Sequence, residues 1–101
     1  MALIISMNRD GDSLTVSLDG RLDTTSAPKL EAELRPVLED GVKNLAIDLK
    51  ELDYVSSAGL RVLLSTRKIM DRQGDMVVRN ANEAVMEVFK VTGFTSLLNI
   101  E

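Results

Sequence analysis

Residues 52–64 read Leu-Asp-Tyr-Val-Ser-Ser-Ala-Gly-Leu-Arg-Val-Leu-Leu, and the division of this stretch decides the fold. Its first part belongs to a strand region, and its second part opens a packed helix, with Ser56-Ser57-Ala58-Gly59 as the junction. Two hydroxyls therefore stand at a helix start. Free backbone N–H groups and the positive end of the helix dipole point at such a position, so it can stabilise a negative group such as a phosphate. Serine is also a favoured N-cap, and on pattern alone capping explains the pair. Gly59 lies in the first turn, where glycine costs about 1 kcal/mol relative to alanine, which implies that something approaches the backbone closely there.

Upstream, Leu45-Ala46-Ile47-Asp48-Leu49 is an apolar run with almost no alternation, as expected for a central strand covered on both faces by flanking helices. Downstream, the helix from Ser57 to about Gln73 carries Leu60, Val62, Leu63, Leu64, Ile69 and Met70 in a dense register that requires close packing. Gly74-Asp75 turns the chain into the strand Met76-Val77-Val78. Asn82 then caps a helix through Val85, Val88 and Phe89 that stops at Gly93. Leu97, Leu98 and Ile100 form an apolar end that docks on the body, by strand pairing or by a helical turn.

At the other end, Leu3–Ser6 and the alternating Leu14, Val16 and Leu18 predict a hairpin through Asp10-Gly11-Asp12. Ala27, Leu30, Leu34, Val37 and Leu38 recur at helical spacing behind Thr24, Thr25 and Ser26, any of which can cap, and Gly41 follows the last of them. Pro28 suits a first turn, whereas Pro36 lies in the helix interior and predicts a kink. The expected fold is α/β, a small mixed β-sheet of four to five strands flanked by helices, forming one domain over residues 1–101.

Composition narrows the chemistry. The 101 residues are 45% hydrophobic and 28% charged, in the range of one globular domain, and no segment has the composition of a linker or repeat. Without cysteine or histidine, thiol chemistry, thiolate metal sites and the commonest general base and zinc ligand are excluded. No GxxxxGK[ST] phosphate loop is present, so the chain reads as a non-enzyme that needs no cofactor and no metal. A net charge of −4 with 3% aromatics argues against nucleic acid. MALIISM is too short for a signal-peptide core and is broken by Asn8, Arg9 and Asp10, and no apolar run reaches a membrane-spanning length. A soluble, cytoplasmic protein with no membrane insertion is expected.

With these readings in place, DLKELDYVSSAGLRVLL (48–64) beside GRLDTTSAPKL (20–30) and NEAVMEVFKVTGF (82–94) resembles the signature of STAS domains, specifically the stand-alone bacterial anti-sigma factor antagonists. The likeness covers nearly the whole chain. It implies a regulatory protein whose unphosphorylated form binds an anti-sigma factor that is also a serine kinase. Phosphorylation then releases the complex and a serine phosphatase restores it. The hydroxyl two residues before the glycine is the phosphoacceptor in that family, which maps onto Ser57, with Ser56 as the secondary candidate. Many members carry aspartate immediately before the acceptor, where this chain has Ser56, and several continue into a further C-terminal helix for which Glu101 leaves little room.

The same resemblance places Asp23, Thr24, Ser56, Gly59, Leu60 and Arg61 at the partner surface. From the residues alone, Asp23 is equally a loop residue that caps the next helix. Asp48, inside an apolar strand, must reach solvent or find a hydrogen-bond partner, and its role is read as structural. Met7, Met70, Met76 and Met86 are read as core, and Arg61, Arg67, Lys68 and Arg72 as a solvated face, with Arg61 near enough to the helix start to touch an acidic partner. A competing reading keeps the fold but makes the protein a subunit of a lipid-transport ABC complex that binds the ATPase without a phosphorylation cycle.

Overall fold

The computed structural model describes residues 3–101; Met1 and Ala2, which open the MALIISM stretch, lie outside the described residues. The elements in order are β1 (Ile4–Asp10), β2 (Ser13–Leu22), α1 (Ala27–Leu38), β3 (Asn44–Val55), α2 (Ser57–Asp71), β4 (Asp75–Arg79) and α3 (Glu83–Val91), followed by a 3-10 turn over Phe94–Ser96. The strands form one four-stranded sheet in the order β1-β2-β3-β4. β1 and β2 are the antiparallel hairpin expected around Gly11, while β2, β3 and β4 run parallel. Parallel neighbours need crossovers, and α1 and α2 supply them. Both helices therefore begin at the same end of the sheet, where Leu22 lies beside Val55.

Burial alternates along the strands. Leu14, Val16 and Leu18 of β2 pair in register with Leu45, Ile47 and their β1 partners Ile5 and Met7, and Met76 and Val78 of β4 continue the same face. Helical residues Leu30, Leu34, Leu63, Met70, Val85 and Phe89 close over it in one apolar cluster. The opposite face stays open, with Thr15, Ser17, Asp19 and Lys50 exposed and Ala46, Asp48 and Val77 half-buried. This corrects the expectation that the central strand is covered on both faces. Leu45, Ile47 and Leu49 alternate with a small residue and a charged one, so the run is one-sided.

β3 also runs on to Val55, well past Leu49. Its register against β2 slips by one residue before Glu51 and again before Tyr54, two bulges that break the period of two and turn Leu52 and Val55 back toward the core. Asp48 is held as anticipated, its Oδ1 accepting from the Lys50 N–H at 3.0 Å and from Asn80 Nδ2 at 3.1 Å. Met70 and Met76 are buried, and Met7 and Met86 pack partly buried against the core. In α1, helical geometry continues through Pro36 to Leu38, so the proline falls in the last turn, where its missing donor forfeits one hydrogen bond.

The apolar C-terminal segment uses both modes of docking that its sequence left open. The 3-10 turn follows Gly93, Leu98 is buried, and Ile100 forms a parallel bridge to Val78, whose N–H donates to the Asn99 carbonyl and whose carbonyl accepts from the Glu101 N–H, each at 2.9 Å. No helix among the described residues is long and apolar enough to cross a membrane.

Gly74 shows how tightly α2 is tied to the sheet. A Cβ there would stand 1.8 Å from the Lys43 carbonyl oxygen, which accepts from the Asp75 N–H at 2.8 Å as β4 begins. Because the obstruction is backbone, Gly74→Ala is expected to destabilise the protein by at least about 2 kcal/mol, read from the midpoint of urea unfolding.

Candidate functional site

The site grows from the end of β2. The Leu22 carbonyl accepts the Ser56 N–H at 2.8 Å, which ties the last residue of β2 to the first residue beyond β3. Ser56 is extended, with φ −94° and ψ 174°, and its Oγ accepts from the Gly59 N–H at 3.2 Å, while its carbonyl accepts from the Leu60 N–H at 2.9 Å. Ser56 is therefore the N-cap of α2. Ser57 is the first helical residue, exposed, with a side chain that makes no hydrogen bond among the described residues. The N–H groups of Ser57 and Ala58 precede the first helical acceptor and face outward with the positive end of the dipole.

The close approach anticipated at Gly59 comes from the chain itself. A Cβ on Gly59 would lie 2.7 Å from Leu22 Cγ and 2.9 Å from the Leu22 carbonyl oxygen. Gly59 is buried and Leu60 is 5% exposed. This corrects their placement at the partner surface: both face inward, one against β2 and the other into the core.

Immediately after Leu22, Asp23 organises the loop into α1. Its Oδ1 accepts from the Thr25 N–H at 3.0 Å, the Thr25 hydroxyl at 2.8 Å and the Ser26 N–H at 3.0 Å. The capping work left open among Thr24, Thr25 and Ser26 thus falls to Asp23. Ser26, buried, makes no side-chain cap bond; its hydroxyl accepts from the Asp23 N–H and donates to the Arg21 carbonyl at 2.7 Å. The Thr25 hydroxyl first, and then the Ser26 N–H, hold the Asp23 carboxyl down from an ordinary 3.8 to about 2. Thr24 is exposed at the loop tip, and Arg61 is exposed with no ion pair among the described residues, whereas Arg67 bonds Asp71 at 3.0 Å.

Two residues escaped the sequence reading. Arg21 and Tyr54 are cross-strand partners on the open face, with the guanidinium 4.2 Å from the ring centroid and Arg21 Nε 4.0 Å from Asp23 Oδ2. Tyr54 is 39% exposed, so this pair forms an aromatic and cationic shelf beside the loop. The register after two bulges brings them together, which no local pattern discloses.

A small mixed sheet with parallel crossovers, a phosphate-competent helix start and an aspartate-organised loop beside it defines a STAS fold. The sequence profile described as "Mlab, STAS domain" matches residues 5–99, and the chain belongs to this family. It is 36% identical over 97 residues to the protein of Bordetella bronchiseptica named "Putative anti-sigma factor antagonist BtrV", covering 95% of this chain and 84% of that one. It is 31% identical over 101 residues to the anti-sigma-B factor antagonist of Bacillus subtilis, covering 99% of this chain and 92% of the other. Among solved structures, the anti-sigma factor antagonist SpoIIAA superposes in its unphosphorylated form with TM-score 0.84 at 16% identity, over 97% of this chain and 88% of that one. Its phosphorylated form, from Bacillus, gives 0.76 at 15% identity, over 97% and 91%.

The two serines separate in stability measurements. Ser56→Ala is expected to cost about 1 kcal/mol through loss of the cap, while Ser57→Ala leaves stability within a few tenths, both read by chemical denaturation.

Asp23 carries a pH signature. Its folded pKa, about 2, lies below its unfolded value, so its stabilisation is complete above roughly pH 4 and drains away as pH falls toward 2. Thermal melts of wild type and Asp23→Asn from neutral pH down to about pH 2 should differ most at the neutral end and converge at the acid end.

Proposed function

We propose that this protein is an anti-sigma factor antagonist controlled by phosphorylation of Ser57, acting as one STAS unit across residues 1–101. The observation that carries the reading is the division of labour at the start of α2. Ser56 performs the capping, and this leaves the Ser57 hydroxyl exposed and without a structural task. Two relatives above 30% identity, named as anti-sigma factor antagonists and matched over 84% and 92% of their own length, support the choice of partner.

In this reading the unmodified protein binds an anti-sigma factor that is also a serine kinase, through a surface containing Ser57, Thr24, Asp23 and Arg61, with Ser56 at its base. Binding frees the sigma factor. A kinase transfers the γ-phosphoryl group of ATP to Ser57 Oγ, which loses its proton as ADP leaves. The product carries roughly −1.5 to −2 charge at one point. On the free protein that charge faces unpaired N–H groups and the positive helix end, so the modified protein stays folded. Within an interface the same group must shed water and stands near the ionised Asp23 loop, so the complex separates. A serine phosphatase hydrolyses the ester and returns the binding form.

The test is a titration of wild type, Ser57→Ala and Ser57→Asp against the anti-sigma factor, with and without ATP. Ser57→Ala should keep affinity within about tenfold, or about 1.4 kcal/mol, and should resist release by ATP. Ser57→Asp should weaken binding at least about tenfold, as a partial mimic with less charge than a phosphate. Peptide mapping should find a single phosphate on Ser57. Equal affinity for all three proteins without an ATP effect would select the lipid-transport reading instead.

A further inference from the structure

α1 and α2 do not close completely against each other. Between them runs a groove of about 820 Å³ whose apolar lining includes Ala27, Ala58, Val62 and Ile69. Along its α2 wall stand Arg61, Lys68 and Arg72, all exposed, none in an ion pair among the described residues. The separations of seven and four residues return each cation to the same helical stripe, and the three span about 16 Å. Glu31, the lone acid in the lining, is already engaged, 3.9 Å from Arg35 Nη2 and 3.5 Å from the Ser65 hydroxyl.

This stripe runs against the charge of the molecule. The chain carries a net −4, and Arg35 of α1 and Arg67 of α2 are spent on acids one turn away. Arg61 stands close to the positive end of α2, where a cation gains nothing from the dipole. Three uncompensated cations beside an apolar trough form a surface complementary to an amphipathic helix with an acidic flank. At the Ser57 end the groove is continuous with the proposed partner surface, since Arg61 belongs to both and Ala58, in the groove lining, is the residue next to Ser57.

We infer that the α1–α2 groove is a second part of the anti-sigma factor interface, and that it receives an acidic amphipathic helix of that partner along Arg61, Lys68 and Arg72. This rests on the reading of the protein as an anti-sigma factor antagonist and extends its contact well away from Ser57. The occupant presents acids over about three helical turns, matching the spacing of the cations. A phosphate on Ser57 stands at the mouth of the groove and repels the same acidic helix, so one modification opposes both parts of the interface.

The experiment compares Lys68→Glu/Arg72→Glu with wild type and with Lys50→Glu/Lys90→Glu, a control that changes net charge equally but alters exposed residues outside the groove. Affinity for the anti-sigma factor is measured by calorimetry at low and high salt, with circular dichroism to verify folding. The groove variant should bind at least about tenfold more weakly at low salt, with the gap narrowing at high salt, while the control stays near wild type. A groove variant equal to wild type, in a titration where Ser57→Asp still weakens binding, would overturn this inference and leave the Ser57 reading intact. Unchanged affinity for the anti-sigma factor together with loss of binding to phosphatidylglycerol vesicles would also overturn it, by assigning the groove to lipid. No binding of an anti-sigma factor by the wild type would remove the functional reading and this one with it.

Discussion

Leu22 is the residue on which the arrangement depends. Its carbonyl accepts the Ser56 N–H, and its side chain and carbonyl oxygen occupy the space that any Cβ at position 59 would need. The end of β2 and the start of α2 are therefore locked at a separation that only glycine allows. The loop that bears Asp23 leaves from the next residue, so two segments far apart in sequence are fixed at one end of the sheet by the β2–β3 ladder and the Leu22–Ser56 bond that extends it. A surface built in this way is rigid before any partner arrives, which reduces the ordering cost of association.

The chemistry of the site follows from what each hydroxyl is free to do. Ser56, Thr25 and Ser26 all have their oxygens committed to the backbone or to Asp23. Ser57 alone of the serines at the junction presents an uncommitted oxygen, and it does so where the local field favours negative charge. Asp23, by contrast, is held ionised by donors that it also organises, so its charge is a fixed feature of the loop at any physiological pH. A free neutral hydroxyl therefore stands at the junction whose neighbouring loop carries a permanent anion.

Much of this was legible in the sequence, and the misses have specific physical origins. The hairpin, α1, β4 and α3 follow patterns of period two or 3.6 bounded by turn and cap residues, and the structure has them where those patterns place them. β3 was legible as an apolar run to Leu49 and as a strand region before Ser56, but not as one continuous strand, because two bulges shift the phase of its inward residues and erase the alternation. The one-sided sheet was misread for want of contrast: Ala46 does not look like a surface residue, yet it lies on the open face. At the site, Gly59 announced a close approach without naming its cause, since Leu22 is remote in sequence. The pairing of Arg21 with Tyr54 needs the strand register itself.

The bridge of Ile100 to Val78 has a bearing on how the molecule behaves in a crowded solution. Without a neighbour, the outer backbone groups of Met76-Val77-Val78 would be a template for any other extended chain, and an apolar one. The short C-terminal segment fills that edge at Val78, and the 3.0 Å ion pair between Arg79 and Glu101 holds it there. It functions as a selvedge, the finished border that keeps a woven cloth from unravelling or catching on the next, and it shortens the stretch of apolar edge on that side through which copies of the protein would join strand to strand.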